Sequence, residues 1–84
     1  MYEILLSKGA EKFVRKQDVP TKKRIKKALL DLAEDPHNNI LDTKKLSTGD
    51  MRLRVGKFRV IYELDNENII IHVLDIGSRG QVYK

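Results

Sequence analysis

Two short runs, MRLRV (51–55) and FRVIYEL (58–64), alternate apolar and polar side chains on either side of Gly56-Lys57. Alternation with a period of two marks strands with one buried face. A two-residue connection with glycine first predicts a tight hairpin, of type II′ or close to it. With the loop closed on Gly56 and Lys57, Val55 faces Phe58, Arg54 faces Arg59 and Leu53 faces Val60. Directly opposed residues share a face, so Met51, Leu53, Val55, Phe58, Val60 and Tyr62 form an apolar wall. Arg54 and Arg59 then stand side by side on the other face, with Arg52 one pleat along. A slip of one residue would scatter the apolar set over both faces, which specifies the register strongly. Opposed like charges destabilise a sheet. Arginines on an open sheet face are ordinarily just solvated, but the predicted pairing sets no acid beside these, and an anionic partner is the alternative reading.

The rest of the chain supplies what the apolar wall packs against. YEILL (2–6) reads as a first strand. Ser7 is placed to cap a helix carrying Ala10, Phe13 and Val14 at helical spacing, weakened somewhat by Gly9. QDVP (17–20) interrupts it, and Pro20 suits the first turn of a second helix. There Ile25, Ala28, Leu29, Leu32 and Ala33 fall on one stripe, and Asp35-Pro36 ends it. So short a link predicts an antiparallel helix hairpin. HNNILDTKKLSTG (37–49) reads as a polar loop anchored by Leu46, and Asp65-Asn-Glu-Asn as a turn. Ile69 to Leu74 is apolar on both faces apart from His72, which predicts a central, covered strand. IGSRGQVYK reads as an extended tail. The expected fold is α+β: an N-terminal strand, the helix hairpin and a three-stranded antiparallel meander, with the helices on one face of a four-stranded sheet.

Eighty-four residues make a single domain, 1–84, which buries only about 60% of the surface of its unfolded chain. Lys and Arg number 17 against 12 Asp and Glu, a net charge of +5. The distribution says more than the sum. Nine basic residues lie between Lys8 and Lys27 and six between Lys44 and Arg59, while 60–78 carries none and holds Glu63, Asp65, Glu67 and Asp75. Localised basic surfaces favour nucleic acid, an acidic protein or a membrane surface as partner. The absence of cysteine excludes disulfides and thiolate metal sites. MYEILL is too short and too acidic for a signal peptide, and the apolar run IIIHVLDI is too short to span a membrane. A soluble cytoplasmic protein is expected.

KKL (44–46), RLRVGKFRVIYEL (52–64) and VLDIGSRGQVY (73–83), in this order of elements, resemble the RelE toxins of the RelE/ParE toxin–antitoxin superfamily. The Gly-x-Arg…Val-Tyr ending favours the RelE branch over the gyrase-poisoning ParE branch. The resemblance covers essentially the whole chain. It implies a metal-independent, cofactor-free endoribonuclease that enters the ribosomal A site and cuts mRNA there by attack of the substrate's own 2′-hydroxyl. It also implies a cognate antitoxin as partner and, through it, a complex with operator DNA. By the resemblance, Arg59 would stabilise the transition-state phosphate and Arg79 the leaving-group side. Arg52 and Arg54 would hold backbone and phosphate, and Tyr83 would stack on a base or assist proton transfer. Relatives often have lysine where this chain has Arg52 and Arg54, and arginine practically cannot give up its proton. The base is then Tyr83 or Lys57, and the sequence does not choose. A non-catalytic gyrase poison or a basic nucleic-acid-binding module on the same scaffold is the alternative.

Lys44, Lys45 and Lys57, with Lys22, Lys23 and Lys26 of KKRIKK, are expected to attract RNA phosphates without sequence preference; for KKRIKK a plain solvated helix face is the rival reading. His72 is expected to be packed or hydrogen-bonded in its strand, and His37 solvent-facing. Glu63, Asp65 and Glu67 are expected to solvate a turn, and Tyr2 and Tyr62 to be structural.

Overall fold

The computed structural model describes residues 1–78. In chain order they form β1 (Glu3–Leu6), α1 (Lys8–Arg15), α2 (Val19–Glu34), β2 (Thr43–Lys45), β3 (Met51–Val55), β4 (Phe58–Asp65) and β5 (Ile70–Ser78). The strands make one sheet in the order β1-β5-β4-β3-β2, with β1 parallel to β5 and the other neighbours antiparallel. The α+β expectation holds, with one strand more than foreseen. Thr43–Lys45, read as part of a loop, pairs with β3 and adds the fifth strand.

Both helices start where side-chain caps are available. The Ser7 hydroxyl accepts from the Ala10 N–H at 3.1 Å, and the Asp18 carboxylate accepts from the Thr21 N–H at 2.9 Å. Asp18 is thereby held below its ordinary pKa of 3.8, chiefly by the Thr21 hydrogen bonds. Pro20 sits in the first turn of α2, and Asp35 caps its end. The stripe of α2 buries Ile25, Leu29, Leu32 and Ala33 against Leu53, Val60, Tyr62, Ile71, Val73 and Ile76 of the sheet. Each fully buried apolar side chain is worth about 1.5–3 kcal/mol relative to exposure. Phe13 of α1 meets Phe58 edge to face at 5.8 Å, a geometry favourable for aromatic pairs. Burial pushes the Tyr62 phenol up to about 12.

The hairpin register is the predicted one: Val55 opposite Phe58, Arg54 opposite Arg59, Leu53 opposite Val60 and Met51 opposite Tyr62. Gly56 takes a φ of +59° while Lys57 does not go positive, as a hairpin with glycine at the first turn position requires. The second turn, 66–69, is fastened by Asp65, whose carboxylate accepts from the Asn68 backbone and side chain at 3.1 and 2.9 Å.

β5 is central, as predicted, but covered on one face rather than two. A bulge between β4 and β5 pairs Ile61 with Asp75 and Tyr62 with Val73, leaving Leu74 unpaired on β4. Strict alternation after Ile71 and Val73 would send Asp75 into the core. The extra residue brings Ile76 inward instead and sets Asp75 and Gly77 on the opposite face. The start of α1 is pinned at this bulge, since the Ser7 hydroxyl donates to the Leu74 carbonyl at 2.9 Å. Leu74 is exposed, and His72, expected to be packed or hydrogen-bonded, is half-buried on the second face with its Nε2 3.9 Å from Asp65 Oδ2.

Candidate functional site

The face of the sheet turned away from the helices is ordered by strand register. One row runs Lys44, Arg52, Ile61, Asp75 across β2, β3, β4 and β5. The next runs Arg54, Arg59, Gly77. Three arginines therefore converge at one end of this face. Gly77, which is buried, places no side chain on β5 beside Arg59.

Burial corrects the picture of arginines on an open face. Arg59 is 3% exposed, and the Arg52 side chain is 7% exposed, whereas Arg54 is 42% exposed. The supposed lack of a neighbouring acid is corrected too. Asp42 lies one residue before β2, and its carboxylate spans the pair: Oδ1 is 3.4 Å from Arg52 Nη2, and Oδ2 is 3.9 Å from Arg54 Nη1. Its backbone carbonyl accepts from the Arg54 N–H at 3.0 Å. Asp42 is 10 residues from Arg52 in the chain, and only the short strand β2 brings it there. Recognising TKK as a strand in register with MRL (51–53) would have revealed it. The lysines and the turn-like residues before them disguised that signal.

Arg52 pays for its position. Its Nε is buried and has no hydrogen-bond partner among the described residues. A nearly buried guanidinium with one 3.4 Å contact is incompletely compensated, which ordinarily costs stability. Planar guanidinium forks match the oxygens of a phosphate, and clustered arginines suit a doubly charged oxyanion.

The other predicted site residues separate into groups. Lys44 neighbours Arg52 across β2–β3 and extends the cationic row; Lys45, opposite Met51, alternates to the other face. Lys57 lies over the Phe58 ring, 5.6 Å from its centroid, and also acts on Asp18. Phe58 belongs to the covered face, so the Lys57 ammonium is turned towards the helix side rather than to the arginines. Lys22 and Lys26 border an apolar groove of about 300 Å³ between α1, α2 and β1, floored by Ile4, Leu6, Ile25 and Leu29, while Lys23 is exposed on α2. The helix lysines are therefore on the opposite side of the sheet from the arginine cluster. Arg79 and Tyr83 lie outside the described residues. His37 is exposed in its turn, and Tyr2 donates its hydroxyl to Asn66 Oδ1 at 2.7 Å. Among the described residues no group of three His, Asp or Glu side chains is placed to hold a metal ion. No described helix is long and apolar enough to cross a membrane.

Comparison with known proteins gives a consistent frame. The family described as "ParE toxin of type II toxin-antitoxin system, parDE" matches residues 4–83. Among solved structures, the archaeal RelE–RelB complex from Pyrococcus horikoshii OT3 is similar, with 26% identity and a TM-score of 0.81 over 96% of this chain and 98% of that one. The RelB–RelE antitoxin–toxin complex from Methanococcus jannaschii has 24% identity and a TM-score of 0.73, covering 94% of each chain. The intact E. coli RelBE toxin–antitoxin complex has 23% identity and a TM-score of 0.73, covering 93% of this chain and 96% of that one. The last two speak for the fold alone. No curated protein matches the sequence significantly.

Proposed function

The chain belongs to the ParE toxin family of type II toxin–antitoxin systems, and on that premise we propose that it is an endoribonuclease that cuts mRNA in the ribosomal A site. The observation that carries this reading is the packed arginine cluster: Arg54 directly opposite Arg59, with Arg52 beside them and two of the three nearly buried. A surface that merely attracted polyanions would gain nothing by burying its cations. A site that must neutralise a phosphorane of fixed geometry gains preorganisation.

The reaction follows from that chemistry. The 2′-hydroxyl oxygen attacks the adjacent phosphorus and its proton passes to a base. The bond to the 5′-oxygen breaks, that oxygen takes up a proton, and a 2′,3′-cyclic phosphate remains. Arg54, Arg59 and Arg52 would stabilise the extra charge on the non-bridging oxygens. None of them can serve as the base. Lys57 is a poor candidate, because its ammonium lies over the Phe58 ring on the helix side of the sheet, away from the arginines. Tyr83 remains the assignment for proton transfer and Arg79 for the leaving group. Lys44, continuing the arginine row, would hold flanking phosphates. The partner of such a toxin is an antitoxin, and the similarity to toxin–antitoxin complexes supports one here.

Mapping 5′ ends of ribosome-bound mRNA after adding purified protein tests the proposal. Cuts within the A-site codon on programmed ribosomes, and few on naked RNA, are expected. The family match itself favours a second reading, a gyrase poison. Inhibition of gyrase supercoiling with no mRNA ends would replace the first reading by the second.

A further inference from the structure

We propose that Asp42 is a positioning residue that stands in for the RNA phosphate: in the substrate-free protein its carboxylate holds Arg52 and Arg54 in place, and an incoming phosphate displaces it. The inference rests on the reading of the arginine face as a phosphate site, and it adds a residue that the family resemblance did not single out.

The geometry is that of a single anion shared by two cations. One carboxylate oxygen approaches Arg52 at 3.4 Å and the other approaches Arg54 at 3.9 Å. Neither distance is that of a tight bidentate pair, whose N–O separations are about 2.7–2.9 Å. The contact compensates the cations without saturating them. Arg52 needs such an anion more than Arg54 does, because its side chain is 7% exposed and its Nε has no partner among the described residues.

Asp42 is also built to leave. Its backbone is fixed on both sides, by the Arg54 N–H to Asp42 carbonyl bond at 3.0 Å and by the pairing of Thr43 with Leu53. Its side chain is 56% exposed, so rotation about its own bonds carries the carboxylate into water without disturbing the sheet. A solvated carboxylate costs nothing, whereas a guanidinium left without an anion in its nearly buried position costs stability. Exchange of carboxylate for phosphate therefore keeps Arg52 compensated throughout. It also raises the threshold for binding, because a bound anion must outcompete an internal one.

The test is a titration with inorganic phosphate, followed by thermal unfolding, on the wild type, Asp42→Asn and a control, Asp31→Asn. The control changes net charge equally, but on α2, where Asp31 pairs with Lys27. Without phosphate, Asp42→Asn should melt lower than the wild type. With phosphate it should gain more than either comparator, and its apparent phosphate affinity should be about fivefold tighter, the upper end of what an exposed ion pair is worth. Adding Arg54→Gln to Asp42→Asn should remove the extra gain. An Asp42→Asn protein that folds only when phosphate is present gives the same result in stronger form. Equal phosphate responses in Asp42→Asn and Asp31→Asn would overturn the proposal, as would an Asp42→Asn protein that fails to fold with or without phosphate. None of these measurements involves cleavage. A wild-type protein that cuts no mRNA would count against the nuclease reading alone, and equal phosphate responses would count against Asp42 alone.

Discussion

The second face of the sheet has two ends, and strand β4 runs through both. At its start Arg59 meets Arg54 and Gly77; at its end Glu63 and Asp65 meet His72 and Ile70. Both ends are charged, and the pleat places both sets of side chains on the same face. They differ in burial. Arg59 and Arg52 are almost entirely enclosed, whereas Glu63 is exposed and Asp65 spends its carboxylate fastening the 66–69 turn. His72 Nε2, 3.9 Å from Asp65 Oδ2, shares the water-facing end. Charges left in water cost the fold little, and charges taken out of water cost a good deal. The contrast teaches that enclosure, rather than the number of charges, distinguishes a working site from a solvated rim.

Four substitutions put this contrast under strain. The largest effect is expected at Arg59. In the ribosome assay Arg59→Ala should slow cleavage by about 100- to 1,000-fold, the usual cost of one preorganised donor, while Glu63→Gln at the other end stays within about twofold. Equal losses at the two ends would erase the distinction.

Next comes Arg52→Met. Replacing a buried ion pair by apolar side chains of similar volume is often neutral or stabilising by about 1–4 kcal/mol, and here the one partner left behind, Asp42, is 56% exposed and stays in water. Urea unfolding should therefore show Arg52→Met at least as stable as the wild type, with cleavage reduced. A marked loss of stability would make Arg52 a structural residue rather than one kept for an anion.

The smallest effect is expected at the acidic end and depends on pH. Hydrogen bonds from Asn68 hold the Asp65 carboxyl below its ordinary 3.8, with His72 contributing less. A carboxylate with a lowered folded pKa adds stability above its unfolded pKa, and loses it as pH falls through the folded value. Asn68→Ala should thus melt lower than the wild type at neutral pH. The difference should close once the pH is well below 3.8. A gap that persists in acid would assign the effect to the turn backbone instead of the carboxylate.

Much of this architecture was legible in the chain. The hairpin register, the stripe on α2, the Ser7 cap, Pro20 in the first turn of α2 and the position of Tyr62 in the core follow from local patterns, because each depends on residues within a few turns or across a two-residue loop. The third strand of the meander was legible as central, yet its bulge was not. IIIHVLDIG is apolar enough to satisfy either alternation, and the choice fell to the core, which takes Ile76 and rejects Asp75. β2 was missed because three polar residues carry no hydrophobic period. Their strand character comes from the free edge of β3 beside them.

The candidate site divides along the same line. That Arg54 and Arg59 would stand opposed, with Arg52 beside them, was determined by the amino-acid order around Gly56-Lys57, since a two-residue turn leaves little choice of register. Whether those cations would lie in water or be enclosed depended on segments distant in the chain. So did the acid that would meet them. Asp42 reaches Arg52 and Arg54 only because β2 adds to the sheet edge, and Gly77 reaches Arg59 only because the bulge shifts β5 by one residue. A linear sequence specifies contacts when local geometry has few solutions. Burial and charge pairing across the sheet belong to the tertiary structure, because the energy of a charge depends on every surface that displaces water from it.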